Sequence, residues 1–261
     1  MVSDTLLLLI AGLVGGVVNA IAGGGSFITF PALLMVGVPP ISANATNTFA
    51  SCSGYLSGAY AFRQELARHR DRLPRFIAVS LIGGVAGAWL LLQTPESLFR
   101  EAIPWLLLFA MLLFIFGNRL NRVLASIGRA HRHASAAGAI LLGLLLLAVS
   151  TYGGFFNAGL GIVILSYLAL AGYQDINLMN GLKLMVSSVV SLIAIALFIA
   201  DGVIAWYAGS VVLVGTLLGG YGAARVSRGL PQAWIRAFVI VAGVGMTVYF
   251  FATTYGAGWS D

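Results

Sequence analysis

The stretch Asn19-Ala-Ile-Ala-Gly23-Gly24-Gly25-Ser26-Phe-Ile-Thr-Phe-Pro31, with the polar run Asn44-Ala-Thr46-Asn47 beyond Pro39-Pro40, decides how this chain must fold. Three glycines interrupt apolar sequence, a short apolar segment follows, and a double proline precedes a helix-compatible run studded with amides. In a bilayer such an interruption has no water for its backbone groups, so it must be buried in protein or line a wet cavity. A weaker copy begins near Asn157, with Gly159-Leu160-Gly161 in place of the triplet. One such interruption in each half points to a transport site.

The surrounding composition fixes the environment. The chain has 261 residues, 60% of them hydrophobic and 8% charged, against roughly 25% charged in soluble domains. This excludes an ordinary soluble fold and implies an all-α integral membrane protein. Ten apolar segments follow, at 5–22, 25–38, 42–62, 76–93, 102–118, 136–156, 160–172, 177–200, 204–224 and 232–252. Eight are long enough to span at about 1.5 Å per residue. The second and seventh reach only about 20 Å, short of a roughly 30 Å hydrocarbon core, and read as half-length helices. Met1-Val-Ser-Asp4 lacks a basic leader, so Thr5 onward reads as a first transmembrane segment. Cys52 is the lone cysteine, which gives neither a disulfide framework nor a metal spacing. No cofactor or metal motif is present.

The net charge of +6 raises the question of nucleic acid, and the positions answer it. Arg63, Arg68, Arg70, Arg72 and Arg75 share one loop; Arg119, Arg122, Arg129 and Arg132 share a second; Arg225, Arg228 and Arg236 flank a third. Basic clusters in short loops mark the cytoplasmic side of a membrane protein. Nothing aromatic is interleaved, as single-strand binding would want. The expected setting is a multi-pass protein of a bacterial-type inner membrane, with loops 63–75, 119–135 and 225–236 cytoplasmic and both termini outside.

Counting crossings between these loops divides the chain into a first transmembrane repeat (1–118), a basic cytoplasmic linker (119–135) and a second transmembrane repeat (136–261). Each repeat has five apolar segments, four spanning helices plus one short helix, so the second half starts on the opposite side from the first. That is the inverted-topology arrangement of many secondary transporters. Gly23 and Gly25 correspond to Gly159 and Gly161, Gly37 to Gly172, Asn44 to Asn180, Asn47 to Lys183 and Ser51 to Ser187. The spacing from Gly25 to Asn44 equals that from Gly161 to Asn180.

All acids fall at segment ends or in loops, whereas Lys183, the chain's one lysine, lies well inside a span. An intramembrane charge costs a few kcal/mol and is a functional candidate by default; the competing reading is that it snorkels to the interface. Asn180, Lys183 and Ser187 form one polar stripe at helical spacing, and Asn44, Asn47 and Ser51 form another. Facing each other, they would line a site; alternatively they are polar glue between helices. Gly23, Gly24, Gly25 and Ser26 open one short helix, and Asn157, Gly159 and Gly161 open the other. Helix N-termini of this kind bind anions, although glycines there also serve as plain hinges. With Thr46 added, these residues are the expected substrate-binding set, and the expected partners are a small anion and the lipid bilayer. The sequence leaves room for a homo-oligomer.

The pattern GGGSFITFP, continued by PALLMVGVPPISANATNT, resembles the first-repeat motif of the sulfite exporter TauE/SafE family of membrane permeases. AGLG and NGLK, the latter spanning Asn180 to Lys183, are similar to that family's second repeat. The second copy has Leu160 inside its glycine run and Tyr167 where the first has Pro31. The resemblance implies transport of sulfite, an organosulfonate or a related small sulfur oxyanion. The runner-up readings are a permease for a different small anion and a non-transporting membrane scaffold. An enzyme is disfavoured, because no HExxH, buried acid pair or partnered nucleophile appears.

Overall fold

A computed structural model of the chain describes residues 2–21, 24–130, 136–226 and 232–256, and every regular element among them is a helix. In order these are α1 (Val2–Ile21), α2 (Ser26–Met35), α3 (Pro40–Ala61), α4 (Arg63–Ala67), α5 (Leu73–Gln93), α6 (Glu96–Ala130), α7 (Ala136–Phe155), α8 (Leu160–Leu170), α9 (Ile176–Ala200), α10 (Trp206–Val226) and α11 (Gln232–Tyr255). Among the described residues, six stretches are long and apolar enough to cross a membrane: Val2–Ala20, Leu73–Gln93, Glu96–Gly117, Gly138–Phe155, Ile176–Ala200 and Arg236–Tyr255. Helices α3 and α10 match these in length but not in apolarity. On α3 the cause is Asn44, Thr46, Asn47 and Thr48, all buried. Such side chains are tolerable at this depth only because protein, not lipid, surrounds them.

Two close helix pairs organise the rest. Helix α1 runs parallel to α10: Thr5 shares a 2.8 Å hydrogen bond with Tyr207, Gly12 abuts Val212 and Gly16 abuts Thr216. A methyl group at Gly16 would meet the Thr216 carbonyl, and one at Gly219 the Leu13 carbonyl. Helix α7 runs parallel to α5 in the same manner. Arg75 donates to the Ala139 carbonyl at 2.9 Å, Gly83 faces Ser150, and a methyl at Gly87 would meet the Thr151 carbonyl. Small residues let backbones touch where lipid supplies no hydrophobic drive between helices. Helices α3 and α9 cross the middle antiparallel, with Gly58 on Leu184 and Gly181 on Phe62. Helix α11 returns along α6, from Arg236, which donates to the Phe114 and Ile115 carbonyls, to Tyr255, which accepts from Trp105.

The short helices turn back at opposite ends of the molecule. After α2 the turn containing Gly37 brings Ile41 to Glu96, whose carboxylate accepts from the Ile41 N–H at 3.0 Å. After α8 the turn containing Gly172 brings Tyr173 to Arg72, at 5.7 Å over the ring. Glu96 and Arg72 flank the two ends of α5. Since α1 starts beside Tyr207 near the Glu96 end and α7 starts beside Arg75, each long–short pair enters and leaves at one end. Helix α7 stops level with Gly84, against which Gly154 packs; α5 continues nine residues further, about 14 Å.

Residues 119–130 of the expected cytoplasmic linker are helical, because α6 runs on without a break for 35 residues, and residues 131–135 of it lie outside the described residues. The basic loop at 63–75 contains the short helix α4.

Candidate functional site

Both interruptions occur between helices as the glycines require, and protein groups take up part of the backbone of their described residues. At the first, Gly23 lies outside the described residues. Gly24 is buried against Phe114 and Val239, and Gly25 packs on Gly15 and Asn19. The N–H groups of Phe27, Ile28 and Thr29 turn back onto the Gly24 and Gly25 carbonyls. Thr29 donates its hydroxyl to Asn47 Oδ1, which clips the start of α2 to α3. Ser26 is buried and sits beside the Tyr55 hydroxyl.

At the second interruption, Phe156 to Gly159, the ties are denser. Gly159 has φ +78, a left-handed conformation that glycine adopts without steric cost, and it lies against Ala110. Tyr152 donates to the Ala158 carbonyl at 2.7 Å. Asn157, 1% exposed, accepts from the Tyr55 hydroxyl at 2.8 Å and donates to Ser191 Oγ at 3.0 Å. Asn44 donates to the Phe155 carbonyl at 2.9 Å, taking up one of the acceptors left over where α7 ends. A residue of the first half thus closes the broken helix of the second.

The polar stripes do not act alike. On α3, Asn44 and Asn47 are consumed by the two helix breaks, and Thr46 lies elsewhere: its hydroxyl accepts from the Ala205 N–H at the start of α10, at 3.0 Å. Ser51 lies half-buried on the same helix. On α9 the groups are less committed. Lys183 is half-buried, donates to Asn180 Oδ1 at 3.1 Å, and has no carboxylate partner among the described residues. Its aliphatic stem lies on Gly161, where a methyl would come 3.3 Å from Cδ. Leu160, Ile162 and Val163 direct their N–H groups onto Asn157 and Gly159, whereas the Gly161 N–H has no acceptor among the described residues. One turn beyond Lys183, Ser187 is 1% exposed and its hydroxyl has no partner among the described residues.

A lysine stem on the first turn of α8 puts like-signed potential side by side: an ammonium group and the positive end of the helix dipole. That arrangement is unfavourable alone and favourable around an anion. Thr29, Tyr55, Tyr152 and Ser191 also hold this region together and were missed in the sequence. Tyr55 and Ser191 were findable, since each lies one helical turn beyond the end of a stripe, at Ser51+4 and Ser187+4.

The profile of the sulfite exporter TauE/SafE family matches residues 8–250. The chain belongs to this family. It is a multi-pass membrane transporter and not an enzyme. It is 32% identical over 257 residues to a probable membrane transporter protein of Haemophilus influenzae, covering 97% of this chain and 95% of the relative. It is 28% identical over 260 residues to the probable membrane transporter protein YfcA of Escherichia coli, covering 98% and 93%. A probable membrane transporter protein of a Sinorhizobium species is 26% identical over 248 residues, covering 94% and 91%. These relatives match along nearly their full length. No solved structure matches the chain.

Proposed function

We propose that this TauE/SafE transporter moves a small sulfur-containing anion, such as sulfite or an organosulfonate, out of the cell. The observation that carries the reading is a set of donors not fully spent within the described residues: the Gly161 N–H at the start of α8, Lys183 whose stem lies on Gly161, and the Ser187 hydroxyl one turn further along α9. An oxyanion offers several acceptor oxygens, and charge-assisted bonds to ammonium and backbone N–H groups are the strong ones. Lys183, Gly161 and Ser187 bind the anion; Asn157 and Asn180 position it from either side. Gly24, Gly25, Ser26, Asn44, Asn47 and Ser51 form the facing wall and hold the breaks in shape.

The packing supports an inverted repeat. Exchanging α1, α2, α3, α5 and α6 for α7, α8, α9, α10 and α11 turns the α1–α10 pair into the α7–α5 pair, and α3–α9 into itself. Each half contributes a re-entering pair, one from each end. Alternating access then follows from one half rocking on the other about the α3–α9 crossing. With loops 63–75, 119–135 and 225–236 cytoplasmic, an outgoing anion gains about 2.3 kcal/mol per charge for each 100 mV of inside-negative potential. Efflux of this kind needs no coupling ion.

Two experiments test the reading. Thermal unfolding of the purified protein against sulfite, thiosulfate, sulfate, short organosulfonates and chloride should show stabilisation by a sulfur oxyanion, since a ligand bound only by the native state raises stability by mass action. No shift with any of them, or an equal shift with chloride, removes the substrate class. In proteoliposomes, flux driven by voltage alone is expected; flux that demands a proton gradient overturns the uncoupled mechanism and leaves the substrate class standing.

A further inference from the structure

We propose that the distal part of α6 carries a seat for the phosphate headgroup of an anionic phospholipid, lined by Arg119, Arg122, Val123 and Ser126. These four residues bound an open cavity of about 440 Å³, large enough for a glycerophosphate headgroup. The apolar stretch of α6 ends at Gly117, so Arg119 falls two residues beyond it, about 3 Å along the axis. That is where lipid phosphates lie.

The helix face is set by its inner side. Asn121 accepts from Ser166 of α8 at 2.8 Å, which turns the opposite face outward. Arg119, Arg122, Val123 and Ser126 share that outward face at helical spacing. Toward the membrane the same face continues as Phe116, Leu112 and Phe109, each close to half-exposed. An acyl chain lying along this apolar strip brings its headgroup to the two guanidinium groups. Arginine matches phosphate oxygens through its planar fork of donors. No carboxylate is among the described residues that line the cavity, so they have nothing to offer the ammonium group of a zwitterionic headgroup. The seat is separate from the anion site at Lys183 and does not depend on that assignment.

The test is lipid retention by the intact protein, read by native mass spectrometry after extraction from vesicles of equal parts phosphatidylglycerol and phosphatidylcholine. The wild type should keep phosphatidylglycerol in preference to phosphatidylcholine. At about 1 kcal/mol per basic residue near the headgroups, R119Q should lower that preference about fivefold and R119Q/R122Q about thirtyfold. R70Q, in a different basic loop, should leave it unchanged. Equal retention of the two lipids by the wild type, or an unaltered preference in the double variant with an unchanged melting temperature, overturns the proposal. Displacement of bound phosphatidylglycerol by millimolar inorganic phosphate alone would do the same, by showing a site for a free oxyanion.

Discussion

The side-chain amide of Asn44, on α3, donates to the carbonyl of Phe155, the last residue of α7, at 2.9 Å and across 111 residues of sequence. Asn44 is 1% exposed, so no water replaces the bond when it is cut. Asn44→Ala leaves an orphaned carbonyl at the end of a helix and should cost about 1–3 kcal/mol. A lower melting temperature in detergent checks this. Asn44→Asp retains the shape but turns a donor toward an acceptor only if protonated, and is expected to be at least as damaging.

Lys183 separates a binding role from a packing one. Lys183→Met keeps the apolar stem on Gly161 and removes the charge, so the fold should persist while anion affinity falls roughly 10- to 150-fold, the range of a hydrogen bond to a charged group. Flux and ligand-induced melting shifts, measured on the same preparation, check both halves of the expectation. Lys183→Arg should recover part of the affinity.

Gly159 has φ +78 and faces Ala110. Gly159→Ala pushes a β-carbon into a conformation that L residues avoid, and against a neighbouring helix. A loss of about 1–3 kcal/mol is expected. Gly37, with φ +84 but open space around it, supplies the control: alanine there should be milder by the contact part of the penalty, as comparative thermal melts would show.

Tyr55, Asn157 and Ser191 form one chain of two hydrogen bonds. Tyr55→Phe and Ser191→Ala each cut one of them, at about 0.5–1.5 kcal/mol apiece. Because both act on the same Asn157 amide, their effects should not add. A double-mutant cycle on stability, with a coupling of about 0.5 kcal/mol or more, is the expected result.

Helix positions and the two interruptions were legible from hydrophobic length and from the glycines, because bilayer thickness and backbone satisfaction leave few alternatives. The continuation of α6 to Ala130 was not, since Arg119 and Arg122 suggest a loop by charge while nothing between them and Leu124 breaks a helix. Within the site, repeat spacing singled out Asn44 and Asn180 as equivalents, yet the structure gives them different work. Asn44 caps a helix and Asn180 holds Lys183. Spacing shows which face a side chain occupies and not which acceptor it meets, and Thr46, drawn to Ala205, shows the same limit.

The pairing of Thr5 with Tyr207 spans 202 residues. At about 5–20 residues per second of synthesis, α1 waits roughly 10–40 s for the glycine-lined neighbour it fits. Throughout that delay its own small-residue groove faces acyl chains or the insertion machinery. Ribosome pausing or truncation before α10 would therefore strand an unmated helix in the bilayer, a natural recognition mark for membrane quality-control proteases.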